Sequence, residues 1–462
     1  MGTTTGRAVI AAAVLGSGMA FLDGTVVNVA LKTIGTDLDA SFAELQWVNN
    51  GYLLSLASLI LLGGSLGDRF GRRRVFVVGV VWFAVASALC GLAPNPEVLI
   101  AARILQGIGG ALLTPGSLAM IQGAFATEDR APAIGAWSGL GGIAAAIGPF
   151  VGGGLIDYAS WRWIFLINLP IAAVTVLIAI RHVPETRDPH ASSHFDWWGA
   201  VLASLALGGT TYALIEWGGP VAVVAAVVAV VAAVAFVLVE GREAEPMLQL
   251  GLFRDRTFSA SNAMTFLVYG ALGAMGFFLT LQLQTVVGYG ALAAGMAFLP
   301  MTVVMLFLAS AGGRLAVRIG PRLPMTVGPV VMGVATLLLM RVDADSGYWL
   351  HVLPGATLFG LGLAAMVAPL TATVLAAAPD EHAGIASGVN NAVARSGTLI
   401  AVAALPVAVG LGGGDYGDAS VFDPAYGTAM LACAVLLFAG GLVSCLTIQD
   451  RVLTLDGPVP GE

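Results

Sequence analysis

Asp23 and Arg103 are the residues here whose types demand a chemical explanation, because each lies deep inside a long apolar run. Ionisable groups in lipid are costly, so they pair with one another or line a polar cavity. At 1.5 Å per helical residue, Asp23 sits about 22 Å and Arg103 about 26 Å above the same end of two antiparallel segments, which puts an ion pair or a water-bridged pair within reach. Desolvation favours the protonated acid there, whereas a neighbouring guanidinium favours the carboxylate. A change in distance or hydration would therefore move a proton on and off Asp23. A static structural pair is the alternative. Arg395, near the middle of another apolar run, reads equally as a contact for an anionic cargo group and as a donor to Asn390, Asn391 and backbone carbonyls. Glu216 and Glu240 stand at the ends of runs beside Trp217 and Gly241, where interfacial exposure is expected.

Such runs are possible because 58% of the 462 residues are hydrophobic and only 10% are charged. A soluble domain carries roughly a quarter charged residues, so the chain reads as an all-α polytopic membrane protein embedded in a lipid bilayer. Runs bounded by charge, Pro or Gly place spans near 8–30, 47–66, 75–93, 98–123, 133–156, 162–181, 197–216, 219–239, 258–284, 291–312, 324–341, 351–377, 384–411 and 426–447. Of the 20 Lys and Arg residues, fifteen fall on the side of the loop after the second span, three (Lys32, Arg162, Arg341) on the other, and two, Arg103 and Arg395, inside spans. By the positive-inside rule both termini are cytoplasmic, in the cytoplasmic (inner) membrane.

That loop is Gly64-Ser65-Leu66-Gly67-Asp68-Arg69-Phe70-Gly71-Arg72-Arg73-Arg74, and Gly313–Arg322 aligns without a gap on its residues 64–73, with Val317 in place of Asp68. Two copies of a loop imply two copies of a half. They follow spans two and ten rather than two and eight, so two extra helices are inserted: 1–181 forms a six-helix half, 182–257 the inserted pair with its loops, 258–447 the second half and 448–462 a tail. The longest connections flank the inserted pair. His190 and His194 in the first of them have metal-like spacing, yet no Cys or helical face joins them, and a solvated loop is the reading.

Several chemistries are excluded. The single lysine, Lys32, is not preceded by a phosphate-binding loop, so the chain does not hydrolyse ATP itself. Gly139-x-Gly141-x-x-Ala144 copies a dinucleotide fingerprint only in letters, since it lies in an apolar segment with no strand before it. No hydrolase triad, metal cluster or other cofactor site is visible, and no basic face for nucleic acid. Cys90, Cys433 and Cys445 read as core residues. In span five, Gly148-Pro149-Phe150-Val151-Gly152-Gly153-Gly154 offers a bendable segment that a neighbour can approach closely.

Taken in order, these motifs resemble the fourteen-span drug:proton antiporters of the major facilitator superfamily. Gly64 to Arg74 is similar to the loop signature between spans two and three, Leu22 to Leu31 to the span-one signature, Arg103-Ile104-Leu105-Gln106-Gly107-Ile108-Gly109-Gly110 with Pro115 to the span-four signature linked to proton transfer, and Gly148-Pro149 with Gly152-Gly153 to the span-five motif of exporters. The likeness continues through Trp161–Phe165, Phe195–Trp197, Leu252–Arg254 and Gln284 to Pro300. It implies two six-helix halves plus two extra helices, alternating access, and a proton gradient as the energy source. Proton coupling would fall to Asp23 and Arg103. A cytoplasmic gate would be formed by Gly64, Gly67, Asp68, Arg69, Gly71, Arg72 and Arg73, with Asp68 latching against a helix N-terminus of the other half. Asn28, Tyr52, Gln106, Tyr269, Met275, Phe278, Gln282, Gln284, Asn390 and Arg395 are candidates to meet an amphipathic small molecule. The expected activity is proton-coupled efflux by a monomer. A dedicated exporter of one metabolite, lipid or self-made antibiotic is the alternative, ahead of a channel or a membrane-embedded enzyme.

Overall fold

The computed structural model describes residues 3–187, 195–243, 246–379, 383–412 and 415–450. His190, His194, Arg451 and most of the tail lie outside the described residues. No strand occurs among those described. The helices, in order, are α1 Thr4–Leu38, α2 Phe42–Phe70, α3 Arg72–Gly91, α4 Pro96–Ala124, α5 Thr127–Tyr158, α6 Trp163–His182, α7 Trp197–Ile215 and α8 Ala222–Glu240, then α9 Arg256–Thr285, α10 Ala291–Ile319, α11 Arg322–Leu339, α12 Tyr348–Ala376, α13 Ala383–Ala408 and α14 Ala419–Thr447. Thirteen of these are long and apolar enough to cross a membrane among the described residues. The remaining one, α5, is 32 residues long, holds Pro132 and Pro149, and occupies the position of the fifth expected span.

Helix ends run past the apolar runs because caps, not hydropathy, set them. The Thr3 hydroxyl accepts from the Gly6 amide and starts α1 before its apolar face begins. A capping box, in which Ser41 and Glu44 satisfy each other's backbone amides, starts α2 at Phe42 rather than 47. Asn95 and Pro96 open α4 in the same manner.

The chain forms two compact units. One comprises the chain to Leu248 with Thr280–Met296 and Val402–Asp423; the other comprises Gln249–Leu279, Ala297–Ala401 and the chain from Pro424 onward. In the first unit α4 is wedged between α2 and α3, and small residues allow it. A Cβ on Gly63 would strike the Ala111 carbonyl, one on Gly107 the Tyr52 carbonyl, and one on Gly79 would stand 3.1 Å from the Gly109 carbonyl. The second unit repeats this register. Gly312 packs on the Ala364 carbonyl and Gly328 on the Gly362 carbonyl, which are the counterparts of the Gly63–Ala111 and Gly79–Gly109 contacts. The loop repeat read from sequence is thus the visible part of a repeated three-helix packing. Helix α7 leans on α2 through Trp47 and Tyr212, whose rings lie 6.1 Å apart, and through Leu54 against Gly208.

Because Gly63 and Gly312 occupy equivalent contacts, Gly63→Val and Gly312→Val are each expected to destabilise the protein by about 1–3 kcal/mol, the usual range for overpacking. Gly154→Ala, whose Cβ would meet nothing within 4 Å, should not. Thermal unfolding of the detergent-solubilised variants measures this, and equal midpoints for all three would contradict the repeated packing.

Candidate functional site

Five helices converge on Asp23. Arg103 and Gln106, three residues apart and hence on one face of α4, both reach it: an Arg103 Nη1 lies 2.5 Å from Asp23 Oδ2, and Gln106 Nε2 donates to Asp23 Oδ1 at 2.8 Å. Gln106 closes the triangle by accepting from Arg103 Nη1 at 2.6 Å. From α3, the Ser87 hydroxyl accepts from Gln106 at 2.8 Å and from Asn168 of α6 at 3.2 Å, and Cys90 lies 3.6 Å from Gln106. From α2, the Val48 carbonyl accepts from Arg103 Nε at 3.0 Å, and the Tyr52 ring lies 4.5 Å beneath the guanidinium. Phe165 sits on it at 5.6 Å. Asp23, Arg103 and Gln106 are all 0% exposed. The structure therefore brings the two ionisable residues singled out from sequence into one closed, electrically neutral network.

The span-five motif lies against the same part of α1. A Cβ on Gly148 would strike the Thr25 hydroxyl and one on Gly152 would strike Val26, so only glycine lets α5 approach the turn after Asp23. Gly153 packs on Leu292 at the start of α10, and Gly295 packs back on the Pro149 carbonyl. Asp157 completes this contact by accepting from the Ala291 and Leu292 amides at 3.1 and 2.9 Å. At the same end, Lys32 donates to the Gln284 carbonyl at 2.6 Å and Gln284 donates to the Val29 carbonyl at 2.8 Å.

The arginine-rich loop is fastened from an unexpected direction. Asp68 pairs with Arg72 one helical turn on, at 2.8 Å. The N-terminus of α3 is capped instead by Glu185, three residues past α6, whose carboxylate accepts from the Arg73 amide at 3.0 Å and lies 3.6 Å from Arg73 Nε. Gly71, at φ +113°, leaves the room that this carboxylate fills. The second copy has the same arrangement. Asp450, three residues past α14, accepts from the Arg322 amide at 3.3 Å beside Gly320, at φ +84°. Arg69 lies over the Phe195 ring at 4.6 Å, Gly64 stands beside Pro115, and Gly67 has open space around it.

Of the other residues named for a cargo cavity, Met275 and Phe278 are buried in the second unit, and Gln282 and Gln284 are buried in the first, where Gln282 donates to Asp423. Tyr52 and Gln106 belong to the closed network. The Asn28 Oδ1 is buried with no hydrogen-bond partner. Asn390 donates to Asn262 and Thr265, and Tyr269 and Arg395 are both half-buried. One expectation is corrected. Glu240 is buried rather than interfacial, because its carboxylate turns inward to accept from the Leu248 amide at 3.0 Å. Asp196, the cap of α7, folds the same loop by accepting from Met247 at 3.3 Å. Glu216 is half-buried and accepts from Trp47 at 3.3 Å. Sequence reasoning also missed Ser87, Asp157, Glu185 and Asp450; for Gln106 the signal was there, in its spacing of three from Arg103.

The sequence model described as Major Facilitator Superfamily matches residues 13–197 and 195–402. The methylenomycin A resistance protein of Bacillus subtilis (strain 168) is 37% identical over 444 residues, covering 94% of this chain and 94% of that protein. The tetracenomycin C resistance and export protein of Streptomyces glaucescens is 35% identical over 402 residues, covering 86% of this chain and 74% of that one. A crystal structure of a D-xylose-proton symporter aligns with a TM-score of 0.70 at 14% identity over 97% of this chain and 98% of that one, a likeness of fold.

Two measurements follow from the geometry. Asp23→Asn strands a buried guanidinium and is expected to destabilise the protein by about 3–5 kcal/mol, and Asp23→Asn with Arg103→Gln should recover part of that loss. A double variant less stable than either single one would rule out the pair. Glu185→Ala should remove about 1 kcal/mol from the first turn of α3, seen as faster hydrogen exchange there with the rest of α3 unchanged.

Proposed function

The chain belongs to the Major Facilitator Superfamily, and from that premise we propose that it is a proton-coupled exporter of amphipathic small molecules, with Asp23 as the proton carrier. Its relatives are named for resistance to antibiotics, and one of them for export as well, which supports efflux as the direction. The excess of arginine in the loops on one side supports the reading that both termini are cytoplasmic and that the membrane is the cytoplasmic one.

A single observation carries the coupling role: Asp23, Arg103 and Gln106 form a sealed network with no net charge. Protonation of Asp23 removes the negative member and leaves Arg103 charged in a fully buried site, a state that low-dielectric surroundings penalise strongly. The network then has to open or hydrate. In an alternating-access cycle, a proton entering from outside would break the pair, and its release to the cytoplasm would restore it. Gln106 follows both partners and keeps Arg103 oriented while the carboxyl changes state. The glycines at 148 and 152 keep α5 on the moving part of α1, and Asp157 with Lys32 ties the opposite end to α10 and α9.

A dedicated exporter of a single compound is the second reading, favoured by relatives that are each named for one antibiotic. In reconstituted inside-out vesicles with an acidic lumen, the wild type is expected to accumulate organic compounds from a panel. Asp23→Asn should lower gradient-driven uptake at least about tenfold, an effect typical of losing a positioned proton carrier. Uptake by many members of the panel supports a broad exporter, and uptake by one supports a dedicated one. Equal uptake with and without the gradient would remove proton coupling.

A further inference from the structure

Arg395 sits at the middle of α13, twelve residues after Ala383 and thirteen before Ala408, about 18 Å from either end of the helix. An arginine side chain cannot snorkel over that distance. Its neighbours do not neutralise it. Asn390 donates its amide nitrogen to Asn262 and Thr265 at 3.2 and 2.8 Å, Asn391 donates its own to the Ser387 carbonyl at 3.4 Å, and neither amide oxygen accepts from Arg395. Among the described residues Arg395 forms no ion pair and no hydrogen bond, and the spans of the second unit contain no Asp or Glu in their interiors. The buried acid of the first unit is already matched by Arg103.

The surroundings point the same way. Gly384 and Asn391 are exposed, Gly388 and Arg395 are half-buried, and these four recur at intervals of four, three and four, which is one face of a helix. Lipid would not solvate a face made of glycine, asparagine and arginine, so it borders water. Close packing of α13 on α9 fixes the geometry: a Cβ on Gly270 would stand 3.1 Å from the Gly397 carbonyl, and Thr398 donates to the Tyr269 carbonyl at 3.0 Å. This holds Tyr269 across from Thr398, one helical turn from Arg395 and within electrostatic reach of its charge.

We infer that Arg395 and Tyr269 form the cargo subsite for an oxyanion, so that the exported compounds are amphipathic organic acids, with the carboxylate or sulfonate on Arg395 and the apolar body along Tyr269. The planar guanidinium binds such groups in a bidentate manner. A lipid phosphate at the interface is too far away to serve, given the depth of the residue. The assignment rests on the reading of the chain as an exporter, and the test separates the two. Wild type, Arg395→Gln and Arg395→Lys are reconstituted in inside-out vesicles with an acidic lumen, and uptake of 8-anilinonaphthalene-1-sulfonate is compared with that of ethidium. Thermal midpoints of the three proteins establish that each is folded. The expected result is that the wild type accumulates the sulfonate, Arg395→Gln loses at least tenfold of that flux, and Arg395→Lys keeps an intermediate share. Ethidium uptake, where present, should be unaffected. Uptake of ethidium alone by the wild type overturns the subsite and leaves the exporter standing, as does undiminished sulfonate uptake by Arg395→Gln or an equal loss of both probes. If the wild type moves neither probe, both the subsite and the broad exporter fall together.

Discussion

A carboxylate and a guanidinium withdrawn from water together constrain everything around them. Each charge alone would be strongly penalised in the interior of this protein, and their attraction compensates only while the geometry is close and the remaining donors and acceptors are occupied. The surroundings of Asp23 and Arg103 answer that demand from α2, α3, α4 and α6: Gln106 touches both, Ser87 accepts from Gln106, the Val48 carbonyl accepts from Nε, and the Tyr52 and Phe165 rings lie against the guanidinium, whose Nη2 alone has no acceptor. Polar groups on short side chains reach across helices only when the backbones are close. The glycines between α2, α3 and α4, and those of α5 facing α1, are thus part of the same electrostatic arrangement.

Lipid filters composition strongly, which is why the helices were legible. Each expected span coincides with a helix, and the matched depths of Asp23 and Arg103 corresponded to an actual contact. The caps were illegible for a physical reason. Glu185 meets Arg73 and Asp450 meets Arg322 from more than a hundred residues away, and the choice of such partners depends on the paths of loops, which carry no periodicity. Glu240 was misplaced for the same reason. A carboxyl at the end of an apolar run looks interfacial until the next loop folds back and presents its amides. Few contacts fasten α7 and α8: α8 is almost entirely Ala and Val, and α7 meets α2 through a tryptophan and a glycine.

The repeat separates scaffold from chemistry. Glycine against carbonyl between the second and fourth helices and between the third and fourth, a left-handed glycine, and an acid three residues past the sixth helix capping the third all appear in both units. Following the same registers, Asp68 falls on Val317, Arg103 on Ala356 and Gln106 on Phe359. Backbone contacts of this kind depend on the absence of side chains and survive any change elsewhere on the helix. An ion pair depends on two particular residues and is lost by substituting either. Duplicated helices therefore keep their packing while their charges diverge. Among the described residues the outcome is one unit with a self-neutralised buried pair, Asp23 and Arg103, and another whose deep charge, Arg395, forms no ion pair.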